Sequence, residues 1–215
     1  DGVPRVCFTA PGTAAVIDQL GQRRELSVDA IPAPIDLSND WQLSFPPDLG
    51  APPAVALPRL ISLSVHDLDG VKYFAGTVTY ARSFDLPAGA RQDSRRWLLD
   101  LGKVRNLAEV ELNGRVVELL WKQPFACDVT KDLREGPNHL VIRVTTLWVN
   151  RLIGDARNDE PVPTVNGWPQ WVIDDQPYSG KGHFSYSTWK GWQKDDQLVP
   201  AGLIGPAALR CHELR

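Results

Sequence analysis

An antiparallel β-sandwich is the fold that this sequence of 215 residues predicts. Three observations support it: apolar and polar residues alternate in several short segments, turn-forming residues separate these segments, and helical periodicity is almost absent. Segments with one polar face are typical of two packed antiparallel sheets. A chain of this length buries about 70% of its unfolded surface, so it needs neither disulfides nor a metal to fold.

Residues 1–34 are predicted to form an appendage that precedes the sandwich. Two short strands, at 13–18 and 23–28, surround a turn. An isolated hairpin is only marginally stable, so we expect this piece to pack on a neighbour, such as a further domain. The chain contains no Met, and we therefore expect Asp1 to be a processed end, the start of an excised domain or the start of an ordered fragment.

The sandwich itself is predicted to span residues 35–215. Apolar residues recur at every second position from Trp41 onwards, and a closing strand is predicted over 208–214. Asn113-Gly114 follows one alternating segment and predicts a two-residue hairpin, because both residue types tolerate positive φ. The alternating sets are Trp41, Leu43 and Phe45; Val78, Tyr80 and Phe84; Trp97, Leu99 and Leu101; Ala108, Val110 and Leu112; Val117, Leu119 and Trp121 on the partner strand; and Leu140, Ile142 and Val144.

Between Asp155 and Pro206 the strand pattern largely disappears, and a long loop rich in aromatic residues is predicted. Loops of this length in compact domains are usually functional or disordered, and the aromatic content argues against disorder. Indole and phenol rings pack against the C–H face of a sugar, while polar side chains bind its hydroxyls. The rings are Trp168, Trp171, Tyr178, Phe184, Tyr186, Trp189 and Trp192.

Each ring also has a simpler structural interpretation, in which it only closes the loop over a sheet. That interpretation is favoured for any single Trp, whereas exposure to a ligand is favoured for at least one ring of the set. Asp174 and Asp175 lie among the rings and are the predicted polar partners.

Two candidates lie outside this loop. Trp121 follows a strand and fits the core or a pocket wall equally well. Arg151 is predicted, with Trp148 and Asn150, to end the long strand. Its planar fork suits a ligand carboxylate or hydroxyl, although a structural pair with a loop Asp is slightly favoured.

The distribution of charge argues against two classes of partner. The net charge is -3, with 23 basic and 26 acidic residues spread along the chain. A nucleic-acid footprint needs clustered Lys and Arg, and no basic run is longer than Arg95-Arg96. No apolar run approaches the roughly 20 residues of a membrane span. We therefore expect neither nucleic acid nor membrane as a partner.

Catalytic and metal-binding patterns are weak. Glycoside hydrolysis normally uses two carboxylates that flank the scissile bond, but adjacent loop carboxylates fit solvated charge better. No nucleophile or phosphate-binding motif is present, and the four His residues lack metal-ligand spacing. The adjacent pairs are Asp159 with Glu160, Asp174 with Asp175, and Asp195 with Asp196.

No cofactor is predicted, although loop carboxylates are compatible with a structural Ca²⁺ whose ligands nothing in the sequence marks. Cys7, Cys127 and Cys211 are widely spaced and do not form a disulfide framework of a secreted protein. Buried free thiols are favoured for them, while one disulfide remains an alternative.

Residues 73–155 carry several short motifs in a fixed order. They are Tyr73-Phe74-Ala75-Gly76-Thr77, Tyr80-Ala81-Arg82-Ser83-Phe84, Glu111-Leu112-Asn113-Gly114, Pro124-Phe125 and Asp128-Val129-Thr130. Together they resemble the sugar-binding domain of glycoside hydrolase family 2. The segments LLWKQPF, TLWVNRLIGD and LVPAGLIGPAAL are more similar still to the C-terminal sandwich of large bacterial glycosidases, such as the family 106 α-L-rhamnosidases, over about Ile35 to Leu214.

This resemblance implies a galactose-binding-like jelly-roll sandwich with an accessory role. In such enzymes the catalytic carboxylates lie on a separate (β/α)-barrel, and no barrel fits in this chain. No catalytic residue is therefore transferred to it. Because the matching motifs are mostly scaffold, they identify a fold better than a binding site, and the sandwich is expected either to bind sugar or to buttress a barrel.

The sequence thus favours a non-catalytic, carbohydrate-binding accessory domain of a bacterial glycoside hydrolase that acts on plant-type polysaccharide. Its expected partners are an oligo- or polysaccharide and a catalytic domain of the same parent chain, in a secreted or periplasmic protein. A purely structural domain and a small free-standing glycosidase are the alternatives. The predicted contact residues are Trp168, Trp171, Tyr178, Trp189, Trp192 and Trp121, with Asp174, Asp175 and Arg151 as polar partners.

Overall fold

A computed structural model describes residues 5–158, 164–176, 183–187 and 191–215. Antiparallel strands dominate this part of the chain, and its helices are short. The helices are α1 (Asp69–Lys72), α2 (Val149–Asp155) and α3 (Gln170–Ile173), with a 3₁₀ turn at Leu63–Val65. The strands are β1 (Cys7–Phe8), β2 (Gly12–Ile17), β3 (Arg23–Val28), β4 (Ile35–Asp36), β5 (Asn39–Ser44), β6 (Ala54–Arg59), β7 (Thr77–Leu86), β8 (Arg95–Asp100), β9 (Lys103–Arg105), β10 (Leu107–Leu112), β11 (Arg115–Leu120), β12 (Ala126–Asp128), β13 (Gly136–Thr145), β14 (Thr164–Val165), β15 (Trp168–Pro169), β16 (Gly202–Gly205) and β17 (Ala208–Leu214).

Two antiparallel sheets form the body of the molecule. The larger has the strand order β11-β10-β13-β7-β5-β6, and the smaller has the order β1-β17-β8-β12 with β4 beside β17. One buried apolar cluster draws on both sheets, with Trp41 and Tyr80 from the larger and Trp97 and Leu99 from the smaller. The predicted all-β sandwich is therefore confirmed, while its jelly-roll class stays a prediction.

The core follows the alternation read from the sequence. Strands β7 and β13 pair along their whole lengths through the middle of the larger sheet. Beside them, the buried Trp41 donates from Nε1 to the Leu37 carbonyl at 2.7 Å and meets the Tyr80 ring edge-on at 6.1 Å between centroids. The Tyr80 hydroxyl accepts the N–H of Leu203 at 3.1 Å, and burial raises the pKa of that hydroxyl.

The predicted hairpin between β10 and β11 is confirmed. Asn113 and Gly114 have φ values of 54° and 82°, which the turn requires and which most other residues avoid. The Asn113 side chain also donates to the Asp132 carbonyl at 2.7 Å and to Asn138 Oδ1 at 2.9 Å. These contacts fix the turn against the neighbouring connection.

Strand β11 departs from the predicted alternation because its pairing with β10 shifts between Val110 and Glu111. An extra residue in one strand reverses which side chains face inward beyond that point. Leu120 is consequently buried, whereas Leu119 and Trp121 are exposed. Trp121 is therefore not a core residue.

The N-terminal residues divide between the sandwich and a separate hairpin. Strands β2 and β3 pair with each other, Gly12 opposite Val28, and with no other strand of the described residues. Strand β1 instead joins the smaller sheet, where Cys7 lies opposite Leu214. The hairpin tip is open to solvent, with Leu20 82% exposed. The domain boundary at residue 34 stays a prediction.

The end of the long strand differs from the sequence prediction. Strand β13 ends at Thr145, and helix α2 then begins at Val149 with Trp148 at its N-cap position. The prediction that Asn150 and Arg151 end a strand is therefore wrong. Local residue preferences are a weak guide here, because long-range contacts of α2 outweigh them.

All three cysteines are free thiols. Cys127 and Cys211 are buried, as expected, but Cys7 is exposed. Burial raises the pKa of the Cys127 thiol to about 12 and that of Cys211 to about 11, so both stay protonated at neutral pH. Separately, no described helix combines the length and apolar character that crossing a membrane requires.

Candidate functional site

One end of the larger sheet carries exposed indoles and a described part of the aromatic loop. Strand pairing places Thr77, Leu107 and Thr145 side by side at this end, which we call the loop end. Trp121 directly follows the last residue of β11 there, and Trp148 stands three residues beyond Thr145. The sandwich thus supplies a rigid base for the loops that emerge from this end.

Helix α2 leaves the loop end and makes hydrogen bonds to two described parts of the long loop, one around Phe184 and one at Val199. The Asn150 amide donates to the Val199 carbonyl and accepts the Val199 N–H, each at 2.8 Å. Asp155 Oδ2 accepts the N–H groups of Phe184 and Ser185 at 3.1 and 2.7 Å and the Ser185 hydroxyl at 2.5 Å. Buried backbone groups of the loop are satisfied in this way.

Arg151 is buried within this anchor. Its Nε lies 2.9 Å from Asp155 Oδ1, and its guanidinium lies 4.9 Å from the Phe184 ring centroid and 5.9 Å from that of Tyr73. Burial lowers the pKa of Arg151, and the charge of Asp155 opposes that shift. This is the structural pair that the sequence favoured slightly, with a helical rather than a loop Asp as partner. A ligand contact of Arg151 stays a prediction.

Close packing ties the anchor to the loop end. A Cβ added at Gly154 of α2 would lie 2.6 Å from the Tyr73 ring, and one added at Gly50 would lie 2.9 Å from the ring of Phe184. Gly50 belongs to the connection between β5 and β6, which leaves the same end of the sheet. The segment 183–187 is therefore seated on the sandwich itself.

Trp168 is the most exposed of the predicted loop rings within the described residues. It lies in β15 and is 50% exposed. Its ring lies 5.9 Å from that of Tyr186 at a tilt of 46°, and the Tyr186 hydroxyl donates to the Gly167 carbonyl. Tyr186 belongs to the segment that Asp155 anchors, so the anchor also positions the pair of rings.

The other predicted rings of the loop are less open or fall outside the described residues. Trp171 and Trp192 are half-buried. Tyr178 and Trp189 lie outside the described residues. Contact of any of the four with a ligand stays a prediction.

Asp174 and Asp175 stand near Trp168 because α3 directly follows β15. Both are exposed. Asp174 Oδ1 accepts a hydrogen bond from Gln170 Nε2 at 2.8 Å, and Asp175 has a φ of 51° at the end of the short helix. These carboxylates can accept hydrogen bonds from hydroxyl groups near the ring, which is the role predicted for them.

Two further indoles are open at the loop end. Trp121 is 68% exposed, and Lys122 Nζ lies 5.1 Å from its ring centroid. Trp148 is 52% exposed and was not among the predicted contact residues. Its signal in the sequence is an aromatic residue just beyond a strand end, which is weak because the pattern also fits a strand residue.

The acidic and histidine side chains of the described residues are scattered. These residues contain no group of three or more His, Cys, Asp or Glu side chains that could hold a metal ion. Asp196 Oδ2 accepts the Gln193 N–H at 2.7 Å in a local turn, which fits the interpretation as loop charge. Asp159 and Glu160 lie outside the described residues. The arrangement is suited to stacking and hydrogen bonding.

Comparison with known proteins places the chain among parts of glycosidases. No family model matches it. A protein of Formosa agariphila named "Putative beta-glucuronidase" is 35% identical over 213 residues, which cover 97% of this chain and 18% of the relative. The structure of a rhamnosidase from Novosphingobium sp. PP1Y is 36% identical with a TM-score of 0.70, covering 89% of this chain and 16% of that one.

The chain therefore spans less than a fifth of either protein. Such partial matches support a domain associated with glycoside hydrolases, within a larger glycosidase chain. They agree with the resemblance found in the sequence at the level of the enzyme class.

Proposed function

We propose that this chain is a non-catalytic carbohydrate-binding accessory domain of a bacterial glycoside hydrolase that acts on plant-type polysaccharide. The observation that carries the proposal is the half-exposed Trp168 beside Tyr186, on a segment anchored to a rigid sandwich. Flat indole and phenol faces left open to solvent suit the C–H face of a sugar ring.

The anchor supports binding as well as folding. Loops that order only on binding lose conformational entropy, which weakens affinity. Here Asp155 and Asn150 already hold the described residues around Ser185 and Val199 through hydrogen bonds. Asp174 and Asp175 would supply acceptors for hydroxyl groups at the rim of the sugar.

We also propose a family for the parent enzyme. The likeness to a rhamnosidase at 36% identity supports a parent enzyme of the family 106 type and a galactose-binding-like sandwich. The expected partner is a catalytic domain of the same parent chain, and the expected location is secreted or periplasmic.

Isothermal titration of the protein against oligosaccharides that bear rhamnose, galactose or a uronate tests the proposal. We expect binding of at least one, with modest affinity because few rings are engaged. Ile17→Ala serves as a control, since it removes an exposed apolar side chain from the β2–β3 hairpin, which pairs with no other strand of the described residues. Absence of heat with every such glycan would count decisively against the proposal.

A second function, that of a structural domain docked on a catalytic barrel, is favoured by one specific observation. The outward face of edge strand β11 exposes Val116 and Leu119, and Trp121 continues this face. Exposed apolar residues on an edge strand are typical of a covered surface. Hydrogen exchange would detect it: β11 amides should be protected in the longer parent protein and exchange faster in this chain alone.

A further inference from the structure

A concave site lies at the start of strand β8. Its volume is about 430 Å³, within the range of roughly 300–1,000 Å³ that is typical of small-molecule pockets. The Arg91 N–H donates to Glu135, which directly precedes the first residue of β13, whereas the loop end is where β13 ends at Thr145. The cavity and the aromatic surface are therefore separate. The lining includes Arg5, Arg91, Gln92, Arg95, Arg96 and Thr130.

Two of the four guanidinium groups are held in place by the protein. Arg95 donates through Nε to Glu213 at 3.2 Å and through Nη1 to the carbonyls of Gly89 and Ala90 at 3.1 and 3.2 Å. Arg96 donates through Nη1 to the Arg95 carbonyl at 3.1 Å. Within the described residues, Nη2 of both side chains has no acceptor, so each keeps donors for a ligand.

The other two guanidinium groups, those of Arg5 and Arg91, lack carboxylate partners among the described residues, and both side chains are exposed. Of the nearby acids, Asp93 lines the cavity and Glu135 accepts the backbone N–H of Arg91 at 3.4 Å. Four positive groups thus face one lining carboxylate. Like charges held close together repel, and an anion between them removes that cost.

Glu213 offsets only part of the positive charge of the cavity, because its carboxylate is shared between Arg95, which lines the cavity, and Arg215. It is buried and accepts hydrogen bonds from Ser94 Oγ at 2.7 Å and from Arg95, while Arg215 lies 3.0 Å away. Burial alone would raise the pKa of Glu213, but the hydrogen bonds from Ser94 and Arg95 and the charge of Arg215 lower it below its usual value. The ionised carboxylate holds Arg95 in a fixed orientation.

From this arrangement we propose that the cavity binds an oxyanion, a carboxylate or a sulfate ester, carried by an acidic sugar. Guanidinium groups present paired donors that match the geometry of such anions. Thr130 Oγ1 accepts the Trp97 N–H at 2.8 Å, which leaves its hydroxyl hydrogen free to donate, and the Gln92 amide adds a neutral partner for sugar hydroxyls. The saccharide part of this claim rests on the proposed function; the oxyanion part does not.

Titration calorimetry of the whole 215-residue protein at low ionic strength tests the cavity, with galacturonate trimer, neutral galactose and inorganic sulfate as probes. The trimer should bind, and added NaCl should weaken it. Arg5→Gln and Arg91→Gln should each weaken it roughly tenfold, because each removes a charge-assisted contact. Arg24→Gln removes the same charge from the exposed β2–β3 hairpin and should leave the affinity unchanged.

Every remaining outcome of these titrations supports or overturns the proposed oxyanion site. Equal weakening by Arg24→Gln would reveal a diffuse charge effect and overturn the site. Binding of sulfate without binding of the trimer would overturn the saccharide. Trimer binding that survives Trp168→Ala and is lost in Arg91→Gln supports the cavity whatever the fate of the proposed function. The reverse pattern contradicts the cavity while it supports the aromatic surface. Thermal unfolding of each variant confirms that the fold is retained.

Discussion

The sheet core and the segment beyond α2 are held together in different ways. The core buries a continuous apolar cluster from both sheets, with Trp41 and Trp97 almost fully enclosed. The described parts of the chain around Phe184 and Val199 are instead fixed by a few polar contacts, chiefly those of Asp155 and Asn150. Many small dispersion contacts stabilise the first region, whereas a handful of directional bonds stabilises the second.

This difference means that scaffold and surface can be perturbed independently. A core substitution should affect the unfolding of the whole domain, because packed cores unfold cooperatively. A substitution in the polar anchor should release the segment while the sheets stay folded, since local opening follows regions with few apolar contacts. Binding is expected to depend on the core, which keeps the domain folded, and on the polar anchor, which positions the loop.

The largest effect is expected from Trp41→Ala. Truncation of a large buried side chain leaves a cavity, and we expect a loss of about 3–5 kcal/mol in the free energy of unfolding. Urea titration followed by circular dichroism measures it, with one transition for the whole domain. A loss below about 1 kcal/mol would contradict the assignment of Trp41 to the centre of the core.

A smaller and local effect is expected from Asp155→Asn. The change removes the ion pair with the buried Arg151 and weakens the acceptor for Ser185. We expect a loss of about 2–3 kcal/mol in the stability of the anchored segment. Hydrogen exchange at 183–187 should accelerate while β7 and β13 stay protected.

Asp174→Asn is the matched control for this experiment, since it makes the same chemical change at an exposed position at the end of α3. It should leave the exchange rates of 183–187 unchanged. Equal acceleration throughout the sheets in Asp155→Asn would break the distinction between the two regions.

A smaller effect still is expected from pH at Glu213, in strand β17 of the smaller sheet. The pKa of Glu213 is lowered in the folded protein, so its contribution to stability is present above its unfolded pKa and is lost as pH falls through the folded value. Glu213→Gln should therefore be less stable than the unaltered protein at pH 7. The difference should shrink as pH falls below about 4.5, the ordinary value for Glu. Thermal melts between pH 7 and pH 3 check the sign, and a difference that grows on acidification would contradict it.

The sequence predicts the core better than the surface, because period-2 burial is a local signal. The inward sets around Trp41, Tyr80 and Trp97 and the turn at Asn113-Gly114 are confirmed. The alternation of β11 is not, since a shift between Val110 and Glu111 reverses the faces of the strand. Nothing in the residues themselves marks the position of that shift.

The candidate site could be predicted only in part for a similar reason. The concentration of aromatic residues identifies the loop, but exposure depends on where distant segments pack. Helix α2 is stabilised by contacts of Asn150 and Asp155 with residues about 30 to 50 positions away in the sequence. Trp148 was missed because that helix was read as the end of a strand.

The most direct test of the account joins affinity and stability in one variant, Trp168→Ala. Because the ring is half-exposed, the free energy of unfolding should change by less than about 0.5 kcal/mol, while affinity for a bound oligosaccharide should fall at least tenfold, a loss of about 1.4 kcal/mol. Titration calorimetry and urea unfolding on the same sample measure both quantities. Unchanged affinity, or a fall in stability of several kcal/mol, would show that this ring serves the fold and not a sugar.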